Sequence, residues 1–198
     1  MPETPGLFPL LKPIGFWRRI ESKSEGCGLQ KVFQSLDPQQ LTTNLFKLLD
    51  EDWLLITAGT PEKFNMMTAS WGGFGILWGK PVCFCFIRPQ RYTYNLMEKN
   101  PVFTLTAFAE KYRDILEFCG TRSGREIDKA AATGLTPVTG RIGGVYFQEA
   151  DLVMECRKIY FQDLEPGHFL DPAIHHNYGD NDYHRMYIGE ILNCLVKV

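Results

Sequence analysis

From Trp53 onward the chain runs in short apolar or alternating stretches separated by Gly, Pro and Asn, a rhythm that predicts strands joined by turns. The runs are Trp53–Ala58, Asn65–Trp71, Val82–Arg88, Phe103–Phe108, Val145–Phe161 with a break near Ala150, and Met186–Val196. Gly59-Thr60-Pro61-Glu62-Lys63 supplies turn chemistry between the first two and predicts a hairpin. Helical periodicity is scarcer. Tyr92–Lys99 and Lys111–Cys119 predict short helices, and Ser123-Gly124-Arg125-Glu126 reads as a capping box opening a third that stops at Gly134. Many short strands with a few helices predict a mainly β fold with flanking helices, a small and mostly antiparallel barrel. Residues 1–36 follow another pattern: Pro2, Pro5, Pro9 and Pro13 interrupt any period, and Ser22–Gly28 is small and polar. We read them as an N-terminal extension, whose Phe16–Ile20 segment is either a docking element or a loosely ordered leader, and residues 37–198 as one domain.

Composition narrows the class. The 198 residues are 44% hydrophobic and 22% charged, which is globular and not disordered, and 21 Lys+Arg against 23 Asp+Glu leave a net charge of −2. No basic run exceeds Arg18-Arg19, so neither nucleic acid nor an anionic membrane is an expected partner. The apolar stretch Trp71–Gly79 ends at Lys80-Pro81, well short of the roughly 20 residues that cross a bilayer. Glu3 precedes the apolar Gly6–Leu11, where a signal peptide would carry positive charge; the expected location is the cytoplasm. Six cysteines at irregular spacings, with no CxxC pair, are expected to be reduced thiols.

Several chemistries are missing. Gly72-Gly73-Phe74-Gly75 lacks the third glycine and the βαβ setting of a dinucleotide fingerprint, and there is no phosphate-binding GxxxxGK[ST], GxSxG elbow or HExxH. Cys83 and Cys85 fall on one face of a strand, where they read as core packing and not as a metal site. His175-His176 reads as solvated loop.

Four segments carry candidate chemistry. Arg88-Pro89-Gln90-Arg91-Tyr92-Thr93 lies where a strand ends and a helix begins, so two guanidiniums, a hydroxyl and unpaired helix N–H groups could cradle a phosphate; the alternative is surface ion pairing. Thr68-Ala69-Ser70-Trp71 is small enough for a flat ligand to approach the backbone, or it is simply a strand with a polar face. Ser123 and Lys129 stand at the start of the third helix, a second phosphate or ribityl contact or a structural cap. His184, at the mouth of the last strand, could donate a hydrogen bond or a proton, or be structural.

In this order and at these spacings, the Asp52–Gly59 strand, Thr68–Trp71, Arg88–Thr93, the Ser123–Lys129 helix start and Tyr187-Ile188-Gly189-Glu190-Ile191 resemble the flavin reductase domain family, and within it the flavoredoxin-like branch. The resemblance runs from about residue 37 to the C-terminus, with Glu126 where the family often has Asp. It implies an FMN-binding split barrel of Greek-key, antiparallel type that forms a homodimer. It further implies that Arg88, Arg91 and Thr93 bind the phosphate, helped by Ser123 and Lys129, that Thr68, Ala69, Ser70 and Trp71 line the flavin ring, and that Tyr92 is among the cofactor-binding residues. His184 would lie near the place where a nicotinamide stacks. The implied activity is NAD(P)H-dependent flavin reduction, with electrons passed to a small-molecule or protein acceptor; the alternatives are an FMN electron carrier and a barrel that binds no flavin.

Overall fold

The computed structural model describes residues 33–198. Strand β1 (Phe33–Ser35) and the helical turn α1 (Leu45–Lys47) come first, and Asn44 caps that turn through its side chain. Strands β2 (Leu54–Thr60), β3 (Lys63–Ala69), β4 (Gly72–Leu77) and β5 (Lys80–Ile87) follow, then helix α2 (Tyr92–Lys99) and strand β6 (Val102–Ala107). Next are α3 (Arg113–Thr121), α4 (Lys129–Thr133), the short pair β7 (Pro137–Thr139) and β8 (Val145–Phe147), and the long strands β9 (Leu152–Asp163) and β10 (Arg185–Lys197).

The main sheet runs β3-β2-β6-β9-β10-β5-β4, with β1 added to the far half of β10, and its pairings are antiparallel. Strands β3 and β4 stand at opposite ends of that order, yet only Ser70 and Trp71 separate them in the chain. The sheet therefore curls until its ends nearly meet, and the result is a split barrel. Strand β2 shows why its sequence is continuously apolar: Leu54, Ile56 and Ala58 enter one buried cluster with Met97, Phe103 and Tyr187, while Leu55 enters a second with Leu116, Phe147 and Val153 under α3. Glycine matters most at Gly189, where a Cβ would fall 2.5 Å from the Phe103 ring and 3.1 Å from the Cys156 Cβ. A bulge in β10 adjoins it, between Ile188 and Gly189.

Several sequence expectations differ from what the structure shows. The run Gly72–Leu77 is a strand, not merely an apolar stretch, and it turns into β5 through Trp78 (φ 52°) and Gly79 (φ 70°). The third helix begins at Lys129, capped by Asp128, whose carboxylate accepts from the Ala131 N–H at 3.1 Å. Ser123 caps no helix: its carbonyl accepts from Glu126 and Ile127 in an isolated turn, and the predicted stop at Gly134 (φ 70°) is where the helix does end. The extension expected over residues 1–36 overlaps β1, which pairs with β10; the Phe16–Ile20 segment and Cys27 lie outside the described residues. Cys83, Cys85, Cys119, Cys156 and Cys194 are free and buried. In a short 3₁₀ segment over Pro172–Asn177, His176 is exposed, while the half-buried His175 shares a hydrogen bond with the Tyr183 hydroxyl at 2.8 Å. No helix among the described residues is long and apolar enough to cross a membrane.

Candidate functional site

The end of β3, the β5–α2 loop and the 121–124 connection enclose a cavity of about 530 Å³, within the size range of small-molecule sites. All eleven residues singled out from the sequence line it: Thr68, Ala69, Ser70 and Trp71 on one wall, Arg88, Arg91, Tyr92 and Thr93 on another, then Ser123, Lys129 and His184. Sequence reasoning gave no role to Asn65, Phe86, Gln90 and Arg122, which line it too.

The cavity is cationic. Arg88, Arg91, Arg122 and Lys129 line it without a single carboxylate among the lining residues. Arg91 donates to the Gly120 carbonyl at 2.7 Å, and Lys129 donates to the carbonyls of Met66 (2.9 Å) and Cys119 (2.6 Å). An ammonium has three N–H bonds, so Lys129 keeps one for a ligand. Burial pushes its pKa down from 10.5 to about 8, partly countered by the nearby Cys119 and reinforced by Arg91. The same desolvation, with the Arg88 charge, lowers Arg91. Thr93 is fully buried at the start of α2; its hydroxyl accepts from the Asn65 amide at 2.8 Å and retains its own hydrogen as a donor. Arg91 occupies the N-cap of α2 without capping it through its side chain, which leaves first-turn N–H groups and the positive end of the helix dipole at the cavity. Asn65 is packed so closely that a Cβ on Gly124 would lie 1.9 Å from its side-chain oxygen.

Arg88 is committed differently. It pairs with Asp182 at 3.0 Å, donates to the Asn177 carbonyl at 2.8 Å and lies over the Tyr178 ring at 5.3 Å. Burial would raise the Asp182 carboxyl, but hydrogen bonds from Arg88 and Gln90 outweigh it and lower it. Arg88 thus both lines the cavity and fastens residues 177–182 beside it.

Around His184 the lining is also aromatic. The Trp71 and His184 rings are 5.1 Å apart, and Phe86 meets His184 edge-on at 6.5 Å. Trp71 stays 47% exposed, whereas His184 is buried. Desolvation, with the neighbouring charges of Arg88 and Arg91, lowers the His184 pKa from 6.5 to about 4, and Asp182 opposes only part of this. At neutral pH the imidazole is uncharged, so it can donate a hydrogen bond but is not a reservoir of an acidic proton.

A barrel split along one seam, with a cation-lined cavity beside that seam, defines a split-barrel protein. Its sequence matches the model of the flavin reductase like domain over residues 51–197, and the chain belongs to that family. Among solved structures it is similar to the flavoredoxin of Desulfovibrio vulgaris (Miyazaki F), at 25% identity and TM-score 0.57 over 73% of this chain and 68% of that one. It also resembles an FMN-binding protein from Thermus thermophilus, at 20% identity and TM-score 0.58 over 81% and 79% of the two chains. A third likeness is to an NADH:FAD oxidoreductase of Streptomyces globisporus C-1027, at 14% identity and TM-score 0.54 over 72% and 73%. No curated protein sequence matches the chain significantly.

Proposed function

We propose that the chain is an FMN-binding oxidoreductase, reduced by NAD(P)H and passing electrons to a flavin, metal or protein acceptor. The observation that carries this reading is a cavity lined by four cations and no carboxylate, with small residues leading to Trp71 and His184. The residues present fit the cofactor. Arg91 and Lys129 are satisfied by backbone carbonyls and not by carboxylates, so their charge is available to a phosphate dianion together with the Thr93 hydroxyl and the α2 N–H groups. Arg88 and Ser123 line the same cavity. Ala69 and Ser70 let a planar ring approach the β3 backbone, with Trp71, Phe86 and His184 beside it in the lining.

Bound FMN would supply a centre that accepts a hydride and releases electrons singly or in pairs. The protein's part is to hold the phosphate, to present backbone donors along β3 and to offer a neutral histidine hydrogen bond near the open face. The proposal includes a homodimer in the cytoplasm, with the exposed Ile76, Trp78, Tyr160 and Phe161 as apolar surface for the contact.

The test is the visible spectrum of the purified protein with added FMN, followed anaerobically after NADH and after NADPH. We expect a bound oxidised-flavin band that bleaches with one nucleotide. A band that bleaches only with dithionite would replace the reductase with an electron carrier, and no bound flavin would leave family and fold without this activity.

A further inference from the structure

Outside the cavity lining, one buried contact reaches the chemistry directly. The Tyr178 hydroxyl lies 3.0 Å from Nδ1 of His184, and both residues are buried. Tyr178 is in turn held on three sides. Its ring packs on Tyr183 at 4.5 Å, the Arg88 guanidinium sits over it, and Phe169 lies 6.1 Å away. Such a ring has little freedom to turn its hydroxyl elsewhere.

A buried phenol needs an acceptor for its hydrogen, and an unprotonated imidazole nitrogen is a strong one, stronger than the phenolic oxygen is for an imidazole N–H. Donation from Tyr178 to Nδ1 satisfies both groups. It leaves Nε2 as the ring's remaining nitrogen, protonated in the neutral form. We propose that Tyr178 is a positioning residue that fixes His184 as the neutral Nε2–H tautomer, so that the histidine meets a ligand only as a hydrogen-bond donor. The inference rests on the reductase reading for its kinetic consequence but not for the tautomer itself. Arg88 and Arg91 face the same imidazole and favour its neutral form, and Asp182, already paired with Arg88, is the acidic group opposing them. No bond is made or broken in this role. The hydroxyl holds the ring's orientation and decides which nitrogen carries hydrogen.

The direct test needs no flavin. Nitrogen-15 NMR of the histidine rings in the flavin-free protein at pH 7 should show His184 in one tautomer, with Nε2 protonated. In Tyr178→Phe, which keeps the ring and its packing, both tautomers should appear. A wild-type ring protonated at Nδ1, or an unchanged tautomer in the variant, would overturn the proposal. With FMN bound, Tyr178→Phe should keep its FMN dissociation constant within about twofold and slow reduction by NAD(P)H roughly tenfold, the scale of one lost hydrogen bond. The double variant with His184→Ala should be no slower than His184→Ala alone. Additive losses would mean that Tyr178 acts independently of His184, and would also overturn it. If the tautomer result holds but no nicotinamide reduces the protein, the reductase reading fails while the positioning of His184 stands.

Discussion

Lys129 offers the most quantitative test of the anion site. In the free protein its amine titrates near 8, because burial disfavours the ammonium. A phosphate dianion beside it favours the charged form and would return the pKa toward its ordinary 10.5. The phosphate's own second ionisation, near 6, is complete throughout the alkaline range. Binding above pH 8 must therefore be accompanied by proton uptake, and affinity must fall as pH rises. With a free pKa of about 8 and a bound one of 10.5, linkage makes the FMN dissociation constant about tenfold weaker at pH 9 than at pH 7. Quenching of flavin fluorescence, titrated at both pH values, measures the ratio. In Lys129→Met, which keeps an apolar stem and removes the ammonium, binding should be weaker at pH 7 and nearly independent of pH. Equal affinities at the two pH values in the wild type, or the same tenfold loss in the variant, would refute the assignment of Lys129 to the phosphate end.

The His184 pKa, held near 4 in the fold against 6.5 in the unfolded chain, means that the unfolded state binds the extra proton first. Its contribution to stability is present above pH 6.5 and is lost as pH falls toward 4; between pH 7 and 4.5 the loss is about 2 kcal/mol, visible in urea unfolding as the difference from His184→Asn. That variant losing as much stability as the wild type would show that another group titrates. Gly124→Ala places a methyl group against the Asn65 side chain, which holds Thr93, so we expect FMN affinity to drop by about tenfold or more, with circular dichroism unchanged at 25 °C. Unaltered affinity would remove Asn65 and Thr93 from the site.

Much of the architecture could be read from the sequence, because strands with one buried face repeat with period two. Helix α2 occupies Tyr92–Lys99 as expected, and the break near Ala150 separates β8 from β9. Strand β4 was hidden because Gly72, Gly73 and Gly75 carry no side chains to mark alternation; those glycines are tolerated because backbone pairing to β5 supplies what side chains do not. At Gly72 a Cβ would meet the Phe84 carbonyl at 2.7 Å. Ser123 and Glu126 have the spacing of a capping box, but Asp128 wins the helix start five residues later. In the site, the charged and hydroxyl residues announced themselves, whereas Asn65 and Tyr178 did not. Each acts on a neighbour distant in sequence or on a loop, Asn65 on Thr93 and Tyr178 on His184, and only the folded chain brings the partners together.

The buried thiols give the protein an internal clock for its own opening. Cys83 and Cys156 lie with their sulfurs 3.6 Å apart beside Gly189, and burial pushes Cys119 and Cys194 up to about 11. A water-soluble thiol reagent can reach these groups only when the barrel opens. In a Cys27→Ser background, the rate of labelling divided by the rate for an unfolded thiol then reports the fraction of time each region spends open, under native conditions and without denaturant. Cys119, on the buried face of α3, and Cys83, in the barrel wall, lie in separate apolar clusters. If the two label in step, barrel and helix open as one unit; if Cys119 labels first, the helix that borders the cavity lifts away while the barrel stays closed.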